Sequence, residues 1–202
     1  MDYISVFFIA AAGTVGAVVG SFLNVAIIRG ERGESLTGRS ACRSCRKILT
    51  PAELIPILSF FIQKGRCRQC GTRLFWQYPL VEFATAGSYA VSAFVLLQKF
   101  PLNGEFFFFL LASFLGIGAV AVVLVSDLKY YFIPDGAIFI LFLLGGLAFF
   151  FRHRDAAIYA LALDFGSTLV LSLFLVLLWF LSKGLWMGLG DGKLFFAVAL
   201  LL

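Results

Sequence analysis

Residues 106–126 read FFFFLLASFLGIGAVAVVLVS, 21 consecutive positions without a charged side chain. As an α-helix that length covers about 30 Å, the thickness of a bilayer's hydrocarbon core. No other feature limits the fold so strongly. In lipid every backbone polar group needs an internal partner, and only helices and closed barrels supply one. The pattern recurs: apolar segments occupy roughly 4–28, 79–98, 106–126, 136–151, 157–182 and 192–202. A transmembrane barrel would alternate over stretches of about ten residues, and these segments do not. Only 13% of the 202 residues are charged, against about a quarter in a soluble domain. The expected fold is an all-α polytopic membrane protein with about six transmembrane helices. The last segment stops in AVALLL, too short to cross as it stands, so a carboxy-terminal truncation is expected.

The first apolar run begins almost at Met1 with no basic region before it. A cleavable signal peptide usually has one, so a retained first helix is expected. The net charge of +5 is unevenly spread: ten of the sixteen Lys and Arg fall between Arg29 and Arg73. In a membrane protein such a cluster marks a cytoplasmic loop. It reads as topology, and no nucleic-acid partner is expected. With 29–77 inside, the amino terminus is outside, and SDLKYYFIPD (126–135) and SKGLWMGLGDGK (182–193) return to the cytoplasmic face. Lys129, Lys183 and Lys193 agree with that orientation. Arg152 and Arg154, in the outer segment RHRD, run against it.

The basic loop holds all four cysteines of the chain, in ACRSCRK and GRCRQCGTR. Cys42, Cys45, Cys67 and Cys70 form C-x2-C-x21-C-x2-C. Each C-x-x-C turn can aim two sulfurs at one ion, and two turns complete a tetrahedron. Four thiolates suit a closed, structural Zn²⁺ site. The neighbouring arginines would offset its excess negative charge. Two disulfides, four unrelated thiols or an iron–sulfur centre are the alternatives, and a reducing cytoplasm disfavours disulfides. Zinc would fold a loop that has little core of its own.

Ionisable residues at helix ends in lipid are candidate functional groups. Asp127 closes the third apolar segment, where an acid opposes the helix dipole. Asp191 opens the sixth, amid Gly188, Gly190 and Gly192. Glycines let a backbone approach closely, which suits a peptide lying against the carboxylate, but Asp191 as a helix cap fits the pattern equally. Asp135 follows Pro134 and reads as a cap. Asp164 reads as an interfacial or helix-bridging residue. The topology brings Asp127 and Asp191 to one membrane face. Two carboxylates sharing a proton can hydrolyse a peptide bond, since close like charges push their pKa values apart. Lys193 would favour the ionised form of Asp191. The single histidine, His153, is expected in the short outer loop, which argues against Ser/His or His–metal chemistry.

These residues resemble a known family, the bacterial type IV prepilin peptidases, which are GxGD-type aspartic membrane proteases. The stretches that carry the likeness are GSFLNVAIIR (20–29), both Cys pairs, LIPILSFF (54–61), YPLVE (78–82), SDLKYYFIPD and GLGDGK (188–193). The resemblance implies a bacterial inner-membrane enzyme of type IV pilus or type II secretion systems. It would cleave the basic leader of type 4 prepilins or pseudopilins at the cytoplasmic face. It would then methylate the new amino terminus with S-adenosylmethionine. Carried over, Asp127 and Asp191 are the catalytic pair, supported by Gly188, Gly190 and Lys193. Asn24 and Glu82 match polar positions with a role in cofactor binding or helix packing. The resemblance implies a methyltransferase-linked region over 1–78 and a peptidase region over 79–202. The competing expectations are a GxGD protease for other membrane substrates, a membrane assembly protein with a structural zinc loop, and a transporter with carboxylates along an ion path.

Overall fold

The computed structural model describes residues 2–153, 158–186 and 188–201. Seven α-helices carry the described chain. They are α1 (Tyr3–Glu31), α2 (Leu58–Ile62), α3 (Gln77–Lys99), α4 (Gly104–Tyr130), α5 (Asp135–His153), α6 (Ile158–Leu181) and α7 (Leu189–Leu201). The six apolar segments coincide with six of them. Five (α1, α3, α4, α5 and α6) are long and apolar enough to cross a membrane. The sixth, α7, has 13 helical residues. The short α2 and a 3-10 turn at Pro51–Leu54 lie inside the Cys loop.

The helices divide into two compact units, Met1–Val125 and Ser126–Leu202. In the first, α1 packs along α3. The contact is close because Gly16 and Gly20 sit on the α1 face that meets α3. A Cβ on Gly16 would lie 2.7 Å from the Thr85 carbonyl oxygen, and one on Gly20 would lie 2.8 Å from Glu82 Cα. This is the small-xxx-small device of membrane helices, in which missing side chains let backbones meet. At the other end of α1, Phe8 meets Phe106 of α4 edge to face at 6.0 Å. Tyr89 of α3 stacks on Phe114 of α4 at 3.8 Å and donates its hydroxyl to the Phe114 carbonyl at 2.8 Å.

In the second unit, α7 packs on both α5 and α6. Gly145 again permits the approach: a Cβ there would be 2.6 Å from the Ala197 carbonyl oxygen. From α6, the Ser172 hydroxyl donates to the Gly192 carbonyl at 2.9 Å. His153 departs from expectation. It is the last residue of α5, not a loop residue, and it is buried. Its ring contacts the Phe149 carbonyl at 3.0 Å and Asp164 Oδ2 of α6 at 2.8 Å. The helical repeat simply continues two residues past the apolar run. Arg154 lies outside the described residues.

Candidate metal centre and membrane carboxylates

The Cys loop is built from two copies of one small turn. In the first, the Cys42 N–H donates to Lys47 O at 2.8 Å and the Arg46 N–H to Cys42 O at 3.0 Å. In the second, the Cys67 N–H donates to Thr72 O at 2.9 Å and the Gly71 N–H to Cys67 O at 2.9 Å. Short antiparallel bridges, Ala41 with Ile48 and Arg66 with Arg73, close the two turns. The residue after the second cysteine is left-handed in both, Arg46 at φ +60 and Gly71 at φ +70. Gly71 takes that conformation without steric cost, and Arg46 does not.

The two turns bring together what the spacing promised. All four cysteines are free thiols, and one sulfur from each lies within 4.8 Å of the others. Cys42 and Cys67 are buried, while Cys45 and Cys70 are exposed. Four sulfurs this close cannot all be negative without a cation among them. The protonation preferences reflect that competition. The Thr72 hydroxyl and N–H pull Cys70 down to about 6. The Cys45 N–H holds the Cys42 thiol below its ordinary value. Cys45 is pushed up to about 11: the Lys47 N–H favours its thiolate, but loss of water and three neighbouring sulfurs oppose it. Four sulfurs so placed could hold one metal ion.

Beside it, Glu53 fixes the connecting loop. It accepts the Thr50 N–H at 2.9 Å and pairs with Lys47 at 3.2 Å. The Thr50 N–H, ahead of the lysine, holds its carboxyl below the usual range. Arg29, the last residue of GSFLNVAIIR, closes the loop onto α1. Its guanidinium donates to the carbonyls of Ser35, Leu36, Thr37 and Arg39 at 2.7–3.2 Å.

The two polar candidates of the first unit differ in their surroundings. Asn24 is buried and spends its amide on packing. Its Nδ2 donates to Gly20 O and Tyr78 O, each at 3.2 Å, and its Oδ1 accepts from Gln77 Nε2 at 3.2 Å. Glu82 is also buried, but it lines a cavity of 570 Å³ next to the Cys turns. Its Oε2 accepts the Ile57 N–H at 2.6 Å. Sequence reasoning missed this cavity, because α1, α3 and the Cys loop enclose it only once folded.

In the second unit, Asp127 lies one turn before the end of α4 and is exposed. Asp191 is in the first turn of α7 and half-buried. Its Oδ2 accepts the Gly188 N–H at 2.9 Å, the reach-back bond of an acid in a helix's first turn. Gly190 packs on Ile133, where a Cβ would come within 3.2–3.6 Å of the isoleucine side chain. Among the described residues no hydrogen bond or ion pair joins Asp127 to Asp191. Lys193, expected beside Asp191, instead pairs with Asp135 at 3.0 Å. Lys193 lies two positions after Asp191, and residues two apart on a helix do not face each other. Tyr130, one turn after Asp127, has a buried hydroxyl with no partner.

Five bilayer-length helices and a four-thiol loop after the first of them define a multi-pass membrane protein whose loop could bind a metal. The chain is similar to the prepilin peptidases. Residues 14–96 match the family model of the bacterial Peptidase A24 N-terminal domain. The prepilin leader peptidase/N-methyltransferase of Bacillus subtilis is 38% identical over 121 residues, 59% of this chain and 46% of that protein. Proteins of the same name from Klebsiella pneumoniae and Legionella pneumophila are 32% and 31% identical. They align over 60% and 79% of this chain, and in each case over 53% of the relative. The chain thus spans about half the length of these curated relatives. No solved structure matches it.

Proposed function

We propose that this chain carries the chemistry of a prepilin leader peptidase and N-methyltransferase of the bacterial inner membrane. The observation that supports it most is the joint presence of the four-thiol loop and the match of residues 14–96 to the Peptidase A24 N-terminal domain. The names of the relatives supply the activity. On this reading the Cys loop and both aspartates face the cytoplasm, in keeping with the basic charge of 29–77. Residues 1–78 supply most of the methylation region, and the two aspartates within 79–202 supply peptide cleavage. The substrates are type 4 prepilins or pseudopilins.

The peptidase role falls to Asp127 and Asp191. One carboxylate, ionised, takes a proton from water as the oxygen attacks the scissile carbonyl carbon. The other, protonated, donates to the carbonyl oxygen. Collapse of the tetrahedral species breaks the C–N bond, and the amine leaves with the proton taken from water. The Gly188 N–H on one oxygen of Asp191 holds that carboxylate at the start of α7. Gly188 leaves space for a substrate backbone beside it, while Gly190 seats Ile133. Cys42, Cys45, Cys67 and Cys70 would hold a zinc ion, which would fold the loop. S-adenosylmethionine, when bound, would supply the methyl group for the new amino terminus and leave as S-adenosylhomocysteine.

The test is leader cleavage in membranes of a prepilin bearing its basic leader. The wild-type chain is run beside Asp127→Asn and Asp191→Asn, with a full-length family member as the positive control. Loss of cleavage in both variants at normal expression is the expected result. Cleavage that survives either substitution removes the dyad and favours a membrane assembly protein. Methylation of the cleaved product is scored in the same samples.

A further inference from the structure

The cavity in the first unit has a composition that helix packing does not explain. At 570 Å³ it falls within the about 300–1,000 Å³ of small-molecule sites. Glu82 lines it, 6% exposed, and no cation pairs with that carboxylate among the described residues. A buried carboxylate without a counter-charge is costly, and it persists where something else uses it. Besides the Ser21 side chain, a strained residue bonds to it. Ile57 is β-branched, yet its backbone is left-handed at φ +63 while its N–H is directed at Glu82. Backbone strain of this kind collects where a site is held in shape.

The other walls are of a different character. Phe60, Phe75 and Tyr78 contribute aromatic surface. Arg39 and Arg73 line the cavity, are exposed, and enter no ion pair among the described residues. A buried carboxyl group, flat apolar surface and outer guanidinium groups suit a ligand carrying a cation, an aromatic base and a carboxylate.

We propose that this cavity is the S-adenosylmethionine site, with the Glu82 carboxylate facing the sulfonium and the outer arginines receiving the amino-acid carboxylate. The assignment rests on the methyltransferase half of the proposed function. Glu82 is a binding residue here, and it selects the charged methyl donor over its demethylated product. S-adenosylhomocysteine has the same base, sugar and amino-acid groups but a neutral sulfur. Opposite a buried carboxylate, loss of the sulfonium charge weakens binding by more than about tenfold.

The experiment measures equilibrium binding of both nucleosides to the purified, zinc-loaded chain in detergent, for the wild type and Glu82→Gln. The glutamine oxygen still accepts the Ile57 N–H, so the variant removes the charge and keeps the bond. The wild type is expected to prefer S-adenosylmethionine by more than about tenfold. The variant is expected to bind the two alike, with its affinity for S-adenosylhomocysteine unchanged. Retained preference in the variant, or no preference in the wild type, overturns the assignment. A wild type that binds neither also overturns it; methylation of a cleaved prepilin by that same preparation shows that the activity stands and only the site is wrong. Should Glu82→Gln lose its zinc or its thermal transition, ultraviolet cross-linking of radiolabelled S-adenosylmethionine to the wild type decides instead. Label within residues 21–29, 39–46 or 54–82 supports the cavity, and label confined to other residues overturns it.

Discussion

The Thr85 hydroxyl of α3 lies 2.9 Å from the carbonyl oxygen of Gly16 on α1, so a side chain of one helix reaches the backbone of the other. That distance is possible only because Gly16 and Gly20 carry no side chain on the shared face. Gly20→Leu is therefore expected to destabilise the α1–α3 pair, by about 1–3 kcal/mol as for other overpacked sites. Gly87, also on α3, faces open space: a Cβ there would meet nothing within 4 Å. Gly87→Ala is expected to leave stability unchanged or raise it by about 0.5–1 kcal/mol. Thermal unfolding of the two variants in detergent checks the contrast. Equal losses in both would mean that close approach at Gly20 is not what holds the pair.

The two Cys turns give a second prediction. Gly71 is left-handed at φ +70, and a β-branched residue there is strained. Gly71→Val is expected to weaken metal retention against a chelator, whereas Arg46→Gly, which relieves the matching position at φ +60, is expected to match or exceed the wild type. Metal analysis of the wild type is expected to give one zinc per chain. Removing that zinc is expected to open residues 40–74 to protease while the transmembrane helices stay folded, because the loop's few buried residues cannot hold it alone. Peptide mapping after limited proteolysis reads this directly.

Glu53 supplies a pH dependence with a definite sign. The Thr50 N–H lowers its folded pKa below the ordinary 4.5. A lowered acid contributes stability above its unfolded pKa and loses it as pH falls through the folded value. The wild-type loop is therefore expected to outlast Glu53→Gln at pH 7, and the gap is expected to close as pH drops below about 4.5. Comparing the two proteins at each pH cancels the acid loss of metal thiolates common to both. A gap that persists at the lowest pH would mean that the glutamate acts through shape and not through charge.

Much of this molecule is legible in its sequence because lipid leaves few choices. A run such as 106–126 has to be helical in a bilayer, and α4 covers it. The four cysteines are equally plain, since C-x-x-C is a local device: the turn that converges two sulfurs is closed by residues four or five positions away. His153 shows the limit of reading ends from hydropathy. Helical hydrogen bonding continues past the last apolar residue, and a buried position at the end of α5 is visible only once Asp164 of α6 stands beside it.

From the sequence alone come the class of protein, the number of apolar helices, the cysteine quartet and the residues that carry the family likeness. Those properties depend on composition, on short spacings and on single side chains. Tertiary structure decided the rest. It gave Lys193 to Asp135 and not to Asp191, used the amide of Asn24 for helix packing, and left Glu82 without a cation in a cavity between α1, α3 and the Cys loop. Each of those outcomes depends on which helix faces meet. That is set by where glycines permit close approach, 54 to 69 positions apart in the case of α1 and α3, and no local pattern records it.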